Sequence, residues 1–457
     1  MAYRQSNLCN RFLSMSFDPQ KFLTDLFHTA VAAAEPKKVL PVFLDKVLKE
    51  QAVKKRSGSV VVIGAGKAAA SMASALEDYW EGCFVKGSRL KGGHLSGIVV
   101  TAYGHGVPCK QIEVMEAAHP VPDANSEIAA QRILDLVAGL NEDDLVICLL
   151  SGGGSSLLAL PAPGITLADK QQINQALLKS GADIHEINCV RKHLSAIKGG
   201  RLAAACAPAK LVTFAISDVP GDDPSVIASG PTVADRTTRQ QALGILEKYQ
   251  IAMSSGIRQW LESDKSETPK EISEDAGLEI IAKARQSLEA AAAQAEKMGL
   301  KTLILGDDLT GDSQQLAQSH AELVNQILEQ DQPIKTSCVL LSGGETTVKV
   351  RGNGRGGRNA EYLLGLTAAL QGKANVYALA ADTDGIDGSG DNAGAILLPD
   401  SWLKSEKLGL NAANMLENND SYRFFEALGD LVITRPTQTN VNDFRAILVL
   451  PGKWARE

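Results

Sequence analysis

Short apolar runs rich in β-branched residues alternate along this chain with stretches of helical period, the pattern of stacked α/β layers. VVVI at 60–63 predicts a short buried strand, followed by the turn Gly64–Gly66 and an Ala-rich helix to about Trp80. GIVVT at 97–101 predicts the next strand. Downstream of Pro122 an Asx/Ser cap opens a helix whose positions Ala129, Ile133, Leu136, Val137 and Leu140 share one face. LVICLL at 145–150 and LVTFAIS at 211–217 predict two more strands.

From about 235 to 275 the chain turns polar and charged, which predicts a linker. The alternation then restarts. A helix is expected near 279–298, a strand at 302–305, a helix at about 312–329, strands at 339–344 and 346–350, and a helix after the loop 351–359. Strands at 376–382 and 444–450 complete the pattern, and no repeat of fixed period is visible. At 457 residues two cores are expected. The boundaries that follow are an extension over 1–16, a first domain over 17–240, a linker over 241–275 and a second domain over 276–457. The first fourteen residues carry two Arg and no acid, a faint likeness to an import peptide. With Met15 as an alternative start, they are expected to lie outside the fold.

Composition narrows the function. A net charge of −7 gives no pull toward nucleic acid or an anionic membrane, so basic residues are read as site chemistry. The seven cysteines are scattered without a CxxC pair, which suits a reducing, cytoplasmic setting rather than a disulfide framework. No HExxH or close His pair suggests a histidine-built metal site. No stretch of eighteen apolar residues suggests a membrane span.

The chemistry-bearing residues cluster after expected strands, where open α/β sheets bind ligands. SGGGSS follows 145–150, SDVPGDD follows 211–217, SGGET follows 339–341 and DTDGIDG follows 376–381. Four such clusters point to a site where the strand ends of two domains meet. Gly64-Ala-Gly66-Lys67-Ala-Ala69 fits a relaxed dinucleotide fingerprint, but no acid stands at the end of the second strand to hold a ribose. A lysine at the helix start suits an anion held by backbone N–H groups and an ammonium. The loop 151–156 offers a backbone nest and two hydroxyls for a carboxylate or phosphate. Arg191, Lys192, Lys198 and Arg201 lie within eleven residues, interrupted by Gly199-Gly200, and one or two of them are candidate ligand contacts. Asp218 and Asp222 flank a Pro-Gly turn, and Asp382, Asp384 and Asp387 crowd another loop. Mg²⁺ offsetting their repulsion is one explanation, and turn-capping is the other. Arg355 and Arg358 are able to reach phosphate oxygens. Phosphoryl transfer needs little beyond such positioning and charge neutralisation, although neither a Walker P-loop nor a protein-kinase motif set is present.

Eight ordered segments carry a family likeness: IGAGKAA, AAHPVPDANS, LLSGGGSSLL, VRKHLSAIKGGRLA, SDVPGDDPSVIASGPT, LLSGGETTV, GRGGRNAE and ADTDGIDG. From about residue 60 to the C-terminus the chain resembles the glycerate 2-kinase family, some of whose members are labelled hydroxypyruvate reductases. The resemblance implies an α/β fold of two domains. The first is Rossmann-like, three-layered and mostly parallel; the second contains a MOFRL domain (about 335–450) with a mixed sheet. It implies transfer of the ATP γ-phosphoryl group to D-glycerate with Mg²⁺, giving 2-phosphoglycerate, and no nucleic-acid or membrane partner; a homodimer stays open. Carried onto this sequence, Lys67, Asp218 and Arg358 would be catalytic, and Ser155, Ser156 and Arg191 would hold the substrate carboxylate. Gly64, Gly66, Gly153, Lys198, Gly344, Glu345, Asn359 and Asp384 would contact the nucleotide or its phosphates, and Asp218 with Asp222 would hold the metal. The competing expectations are a nicotinamide-dependent reductase and a non-catalytic sensor of glycerate or nucleotide.

Overall fold

A computed structural model describes residues 17–53, 58–85, 94–273 and 276–451; the proposed extension and alternative start at Met15 lie outside them. The chain forms two compact units, residues 35–282 and residues 17–34 together with 283 onward.

The first unit is built on β1 (Val60–Ala65), β2 (Leu95–Ala102), β3 (Ile112–Ala117), β4 (Leu145–Leu150), β5 (Lys210–Ile216) and β6 (Ala276–Ala282). All pairs are parallel, in the order β3-β2-β1-β4-β5-β6. β1 and β4 are buried at every position, as expected for central strands covered on both faces. Connections leave β1 toward one edge and β4 toward the other, so the topological switch lies between them. Gly64 belongs to the β1 ladder beside Leu149 of β4. A Cβ there would stand 2.3 Å from the Leu149 carbonyl oxygen, so the glycine lets the two strands meet.

Residues 241–275 are not a linker. The helices Arg239–Lys248 and Ser255–Glu262 pack with Leu167–Ser180 and Ile184–His193 around a shared apolar cluster that buries Ile173, Leu177, Leu246 and Leu261. Trp260 Nε1 donates to the His193 carbonyl at 2.7 Å. The polar composition reflects helices with one narrow apolar stripe, and the first unit continues through β6. That strand occupies the start of the helix expected at 279–298, which begins only at Ala284.

The second unit holds β7 (Lys301–Asp312), β8 (Cys338–Thr347), β9 (Val376–Asp382), β10 (Gly394–Leu397), β11 (Leu431–Val432) and β12 (Asp443–Val449). Their order is β11-β10-β9-β12-β8-β7, with β7–β8 parallel and the other pairs antiparallel. The runs expected as separate strands at 339–344 and 346–350 merge into the single strand β8, which ends at Thr347, so SGGET lies within a strand rather than beyond it. Side chains alternate across this sheet. Leu340, Ala378 and Ile447 face one core, and Val339, Leu379 and Leu448 face the other. The second core is closed by the helices Ala284–Lys297 and Pro19–Ala33. Asp18 caps the latter helix through the Gln20 and Lys21 amides, and Phe27 meets Phe444 with ring centroids 5.9 Å apart. Residues 17–34 therefore complete the second unit rather than open the first. No described helix is long and apolar enough to cross a membrane. Cys109, Cys148, Cys189, Cys206 and Cys338 are free thiols.

Candidate functional site

The switch point carries the loops after β1 and β4. The β1 loop does not offer its amides to a ligand: Gly66 N–H donates to Val100 O, Lys67 N–H to Gly152 O, Ala68 N–H to Ser151 Oγ and Ala69 N–H to Gly66 O. Gly66 has φ +140°, and a Cβ would fall 2.1 Å from Ser151 Oγ, so its lack of a side chain seats that serine. The expectation that Gly64 and Gly66 bind phosphate is thus corrected. Both are packing positions; Lys67 is half-buried with its Cγ beside Gly153 and is not among the residues that line the neighbouring cavity. The β4 loop behaves differently. Among the described residues, no acceptor bonds the amides of Gly152, Gly153 or Ser155, which leaves a backbone nest at the switch point. Gly153 has φ +79°, and its missing Cβ makes room for the His119 ring (2.8 Å) and Lys67 Cγ (3.5 Å).

Beside the nest lies a cavity of about 510 Å³, lined by Gly153, Ser155, Ser156, Arg191 and Lys198 as expected, and by Lys170, Asn174 and His119, which sequence reasoning had not singled out. No Asp or Glu lines it. Lys198 is buried and donates from Nζ to the carbonyls of Ser155 (2.6 Å) and Leu158 (2.8 Å). Burial, with the charges of Lys170 and Arg191, pulls its basicity well below that of an ordinary lysine. Arg191 Nε donates to Asn174 Oδ1 at 2.7 Å, which fixes the guanidinium. The two serine hydroxyls are spent internally. Ser156 Oγ donates to Gly153 O at 3.0 Å, while Ser155 Oγ meets Ser229 Oγ at 2.8 Å, itself bonded to Asn188 Oδ1. The donors open to an anion are therefore backbone amides and cations. Of the four cations in 191–201, Arg191 and Lys198 line the cavity. Lys192 pairs with buried Asp235 (3.3 Å), and Arg201 donates to Ser266 O.

The His119 segment lay within a recognised motif, so a signal for it existed. Lys170 had none, because LADKQQINQALL reads as an ordinary amphipathic helix with a solvated lysine. Asp218 and Asp222 sit half-buried in the loop after β5, where Asp222 adopts a positive φ of 55°. Among the described residues, no group of three or more His, Cys, Asp or Glu is arranged to hold a metal. Two carboxylates on one loop still fit the mode in which Mg²⁺ takes one or two carboxylates and completes its shell with water and phosphate oxygens.

In the second unit, adjacent strands deliver acids to one point: Asp443 of β12 pairs in register with Asp382 of β9 and Gly344 of β8. Arg358 opens the helix Arg358–Leu370 and donates from Nε to Asp443 (2.8 Å), from Nη1 to Glu345 (2.7 Å) and from Nη2 to Asp382 (2.8 Å). Burial opposes its charge, but these three carboxylates win and hold its basicity well above the usual arginine range. Asp443 also bonds buried Arg445 and, at 2.7 Å, Asn359 Nδ2. The crowded acids need no metal to coexist. Asp382 faces Arg358, Asp384 accepts the Ile386 amide, and Asp387 accepts the Asn359 and Ala360 amides at the helix start. Asn359, Gly344 and Asp384, expected to contact phosphate, each have a structural role here. Asn359 is buried with its donors committed. Gly344 has φ +112°, and a Cβ would stand 2.2 Å from Leu309 O. Arg355 stacks over the Tyr422 ring at 3.8 Å.

A switch-point cavity walled by cations and amides, in a two-unit α/β protein, defines an enzyme class that handles small anions. The model of a domain of unknown function, DUF4147, matches residues 22–262, and that of the MOFRL family matches residues 338–443. The D-glycerate 2-kinase of Thermotoga maritima is 41% identical over 408 residues, covering 89% of this chain and 94% of the relative. A protein of Agrobacterium vitis named "Putative hydroxypyruvate reductase" is 48% identical over 432 residues, covering 94% of each. The crystal structure of glycerate kinase from Thermotoga maritima superposes with a TM-score of 0.81 at 38% identity, covering 94% of this chain and 99% of that one. The chain belongs to the glycerate 2-kinase family with DUF4147 and MOFRL domains.

Proposed function

We propose that this protein is a cytoplasmic, ATP-dependent D-glycerate 2-kinase that produces 2-phosphoglycerate and ADP. The observation that carries this reading is the cavity at the β1/β4 switch, where Arg191, Lys198 and open amides face a space without a carboxylate. A small hydroxy acid meets there the charge that offsets its carboxylate, held by groups that are already oriented. In this reading Arg191 and the Ser155–Ser156 turn bind the carboxylate, the turn through its backbone. Lys198 and the Gly153 amide take phosphate oxygens, and Lys67 contacts the transferred group. Asp218 accepts the proton of the attacking hydroxyl. Asp218 and Asp222 would hold Mg²⁺, which when bound supplies charge neutralisation of the ATP phosphates. Arg358 stabilises transferred charge by exchanging Glu345, its exposed partner, for a phosphate oxygen. The names of the relatives support the same activity.

ADP formation coupled to D-glycerate, with the product resolved by phosphorus NMR, tests the proposal. No ADP above a glycerate-free control, from folded protein with Mg²⁺, would sink it. ATP or glycerate binding without turnover would mark a sensor instead. The reductase reading lacks support at the site, since the β1 loop amides are spent and β2 ends in Thr101 and Ala102, followed by Tyr103, without an acid. Nicotinamide oxidation with hydroxypyruvate is its direct test.

A further inference from the structure

Lys170 is the cation of the cavity that has least to hold it. It stands on the helix Leu167–Ser180, half-buried in the cavity wall, and its one described hydrogen bond is a long one, Nζ to the Leu160 carbonyl at 3.4 Å. The charged groups around it are mostly of its own sign. Arg191 comes from the helix Ile184–His193 and Lys198 from the loop that follows, and the His119 ring lines the same space; among the described residues, Glu127, from the helix Ala124–Val137, is the acid that acts against them. An ammonium in such surroundings is desolvated with no carboxylate hydrogen-bonded to it among the described contacts, so the neutral amine gains on it until an anion arrives. Burial and then Arg191 bring Lys170 down to about 7, in agreement with that geometry. Lys198 differs, because two carbonyls already bracket its Nζ.

We propose that Lys170 is an anion-binding residue of this cavity that takes up a proton as the carboxylate of D-glycerate enters, so that substrate binding and protonation are one event. The inference rests on the reading of the cavity as the glycerate site. The proton comes from solvent to Nζ, and the resulting ammonium donates to a carboxylate oxygen with Arg191 beside it. Where uptake approaches one proton, binding of a monoanion leaves the net charge of the cavity almost unchanged. The site in effect selects ligands whose negative charge is strong enough to recharge the lysine, and rejects the neutral polyol of the same shape.

The test is calorimetric titration of D-glycerate into the full chain, with and without saturating ADP, in two buffers of different ionisation enthalpy. Wild type is expected to take up about half a proton at pH 7 and close to one at pH 8, with the association constant falling up to about tenfold per pH unit above 7. K170M should bind at least about tenfold more weakly and take up no proton. K170R, permanently charged, should bind within a few-fold of wild type, also without uptake, and with a flattened pH profile. If K170M does not fold, K170R decides alone. Binding to wild type without proton uptake overturns the proposal while leaving the kinase reading intact. So does uptake that persists in K170M or K170R, which would assign it to His119 or Lys198. Absence of any glycerate binding overturns the kinase reading and this inference with it.

Discussion

Arg358 is held by carboxylates of very different burial, and the difference predicts how each should respond to loss of its charge. Asp443 is fully buried and joins Arg358, Arg445 and Asn359, whereas Glu345 has 48% of its side chain exposed and touches Arg358 alone among the described contacts. In Asp443→Asn the shape is kept, but Arg445 loses its buried counter-charge and Arg358 its Nε partner. Breaking a buried pair in this way costs about 3–5 kcal/mol, a large share of the ~5–15 kcal/mol that holds a domain together. In Glu345→Gln solvent replaces the lost interaction, so about 0–1 kcal/mol is expected. Guanidinium unfolding of both variants and wild type, followed by calorimetry to resolve the transition of the second unit, gives the comparison. Turnover should divide in the same order if Arg358 must be aimed: strongly reduced in Asp443→Asn and altered only modestly in Glu345→Gln. Equal losses of stability, or a larger loss for Glu345→Gln, would refute the reasoning that burial decides the worth of these contacts.

Lys67→Ala should lower turnover by about 10²–10³, as removal of a preorganised electrostatic donor does, with an unchanged melting temperature. Arg358→Ala should lose both, because it takes one of two arginine partners from buried Asp443 and an ion pair from Asp382; a variant as stable as wild type would contradict the carboxylate cage. Gly153→Ala forces a side chain at φ +79° against His119, costing about 1–2 kcal/mol of strain and weakening glycerate binding, read as a raised KM and a lower melting point. Asp387 is pushed up by burial to about 6, against the amides of Asn359 and Ala360, which favour its charge. Because its folded pKa is raised, its ionised form costs stability above pH 6, and that cost is relieved as pH falls from 6 toward 4. The gain is at most about 3 kcal/mol. The stability difference between wild type and Asp387→Asn should therefore change with pH only across that window, and a flat difference would show that Asp387 ionises normally.

What the sequence determined was local. Fully apolar runs such as LVICLL can only be central parallel strands or buried helix, and their length decides for strands. A Gly-rich turn after such a strand falls at a ligand-binding edge for reasons of topology, so the place of the 151–156 loop and of Arg191 on a cavity wall was legible, as was the family. Other features depended on what the chain meets far away. Gly66 looks like a phosphate turn, but its glycine serves Ser151, eighty-five positions downstream, which takes the amide a phosphate would need. The crowded acids looked like a metal site until strand register set Asp382 and Asp443 side by side across β9 and β12, with Arg358 between them. Residues 17–34 and 241–275 were misassigned because amphipathic or polar helices reveal that a face is buried, not which core receives it. Lys170 was invisible for the same reason. A lysine on a helix is a solvated charge or a cavity wall according to what packs opposite, and that is a property of the fold alone.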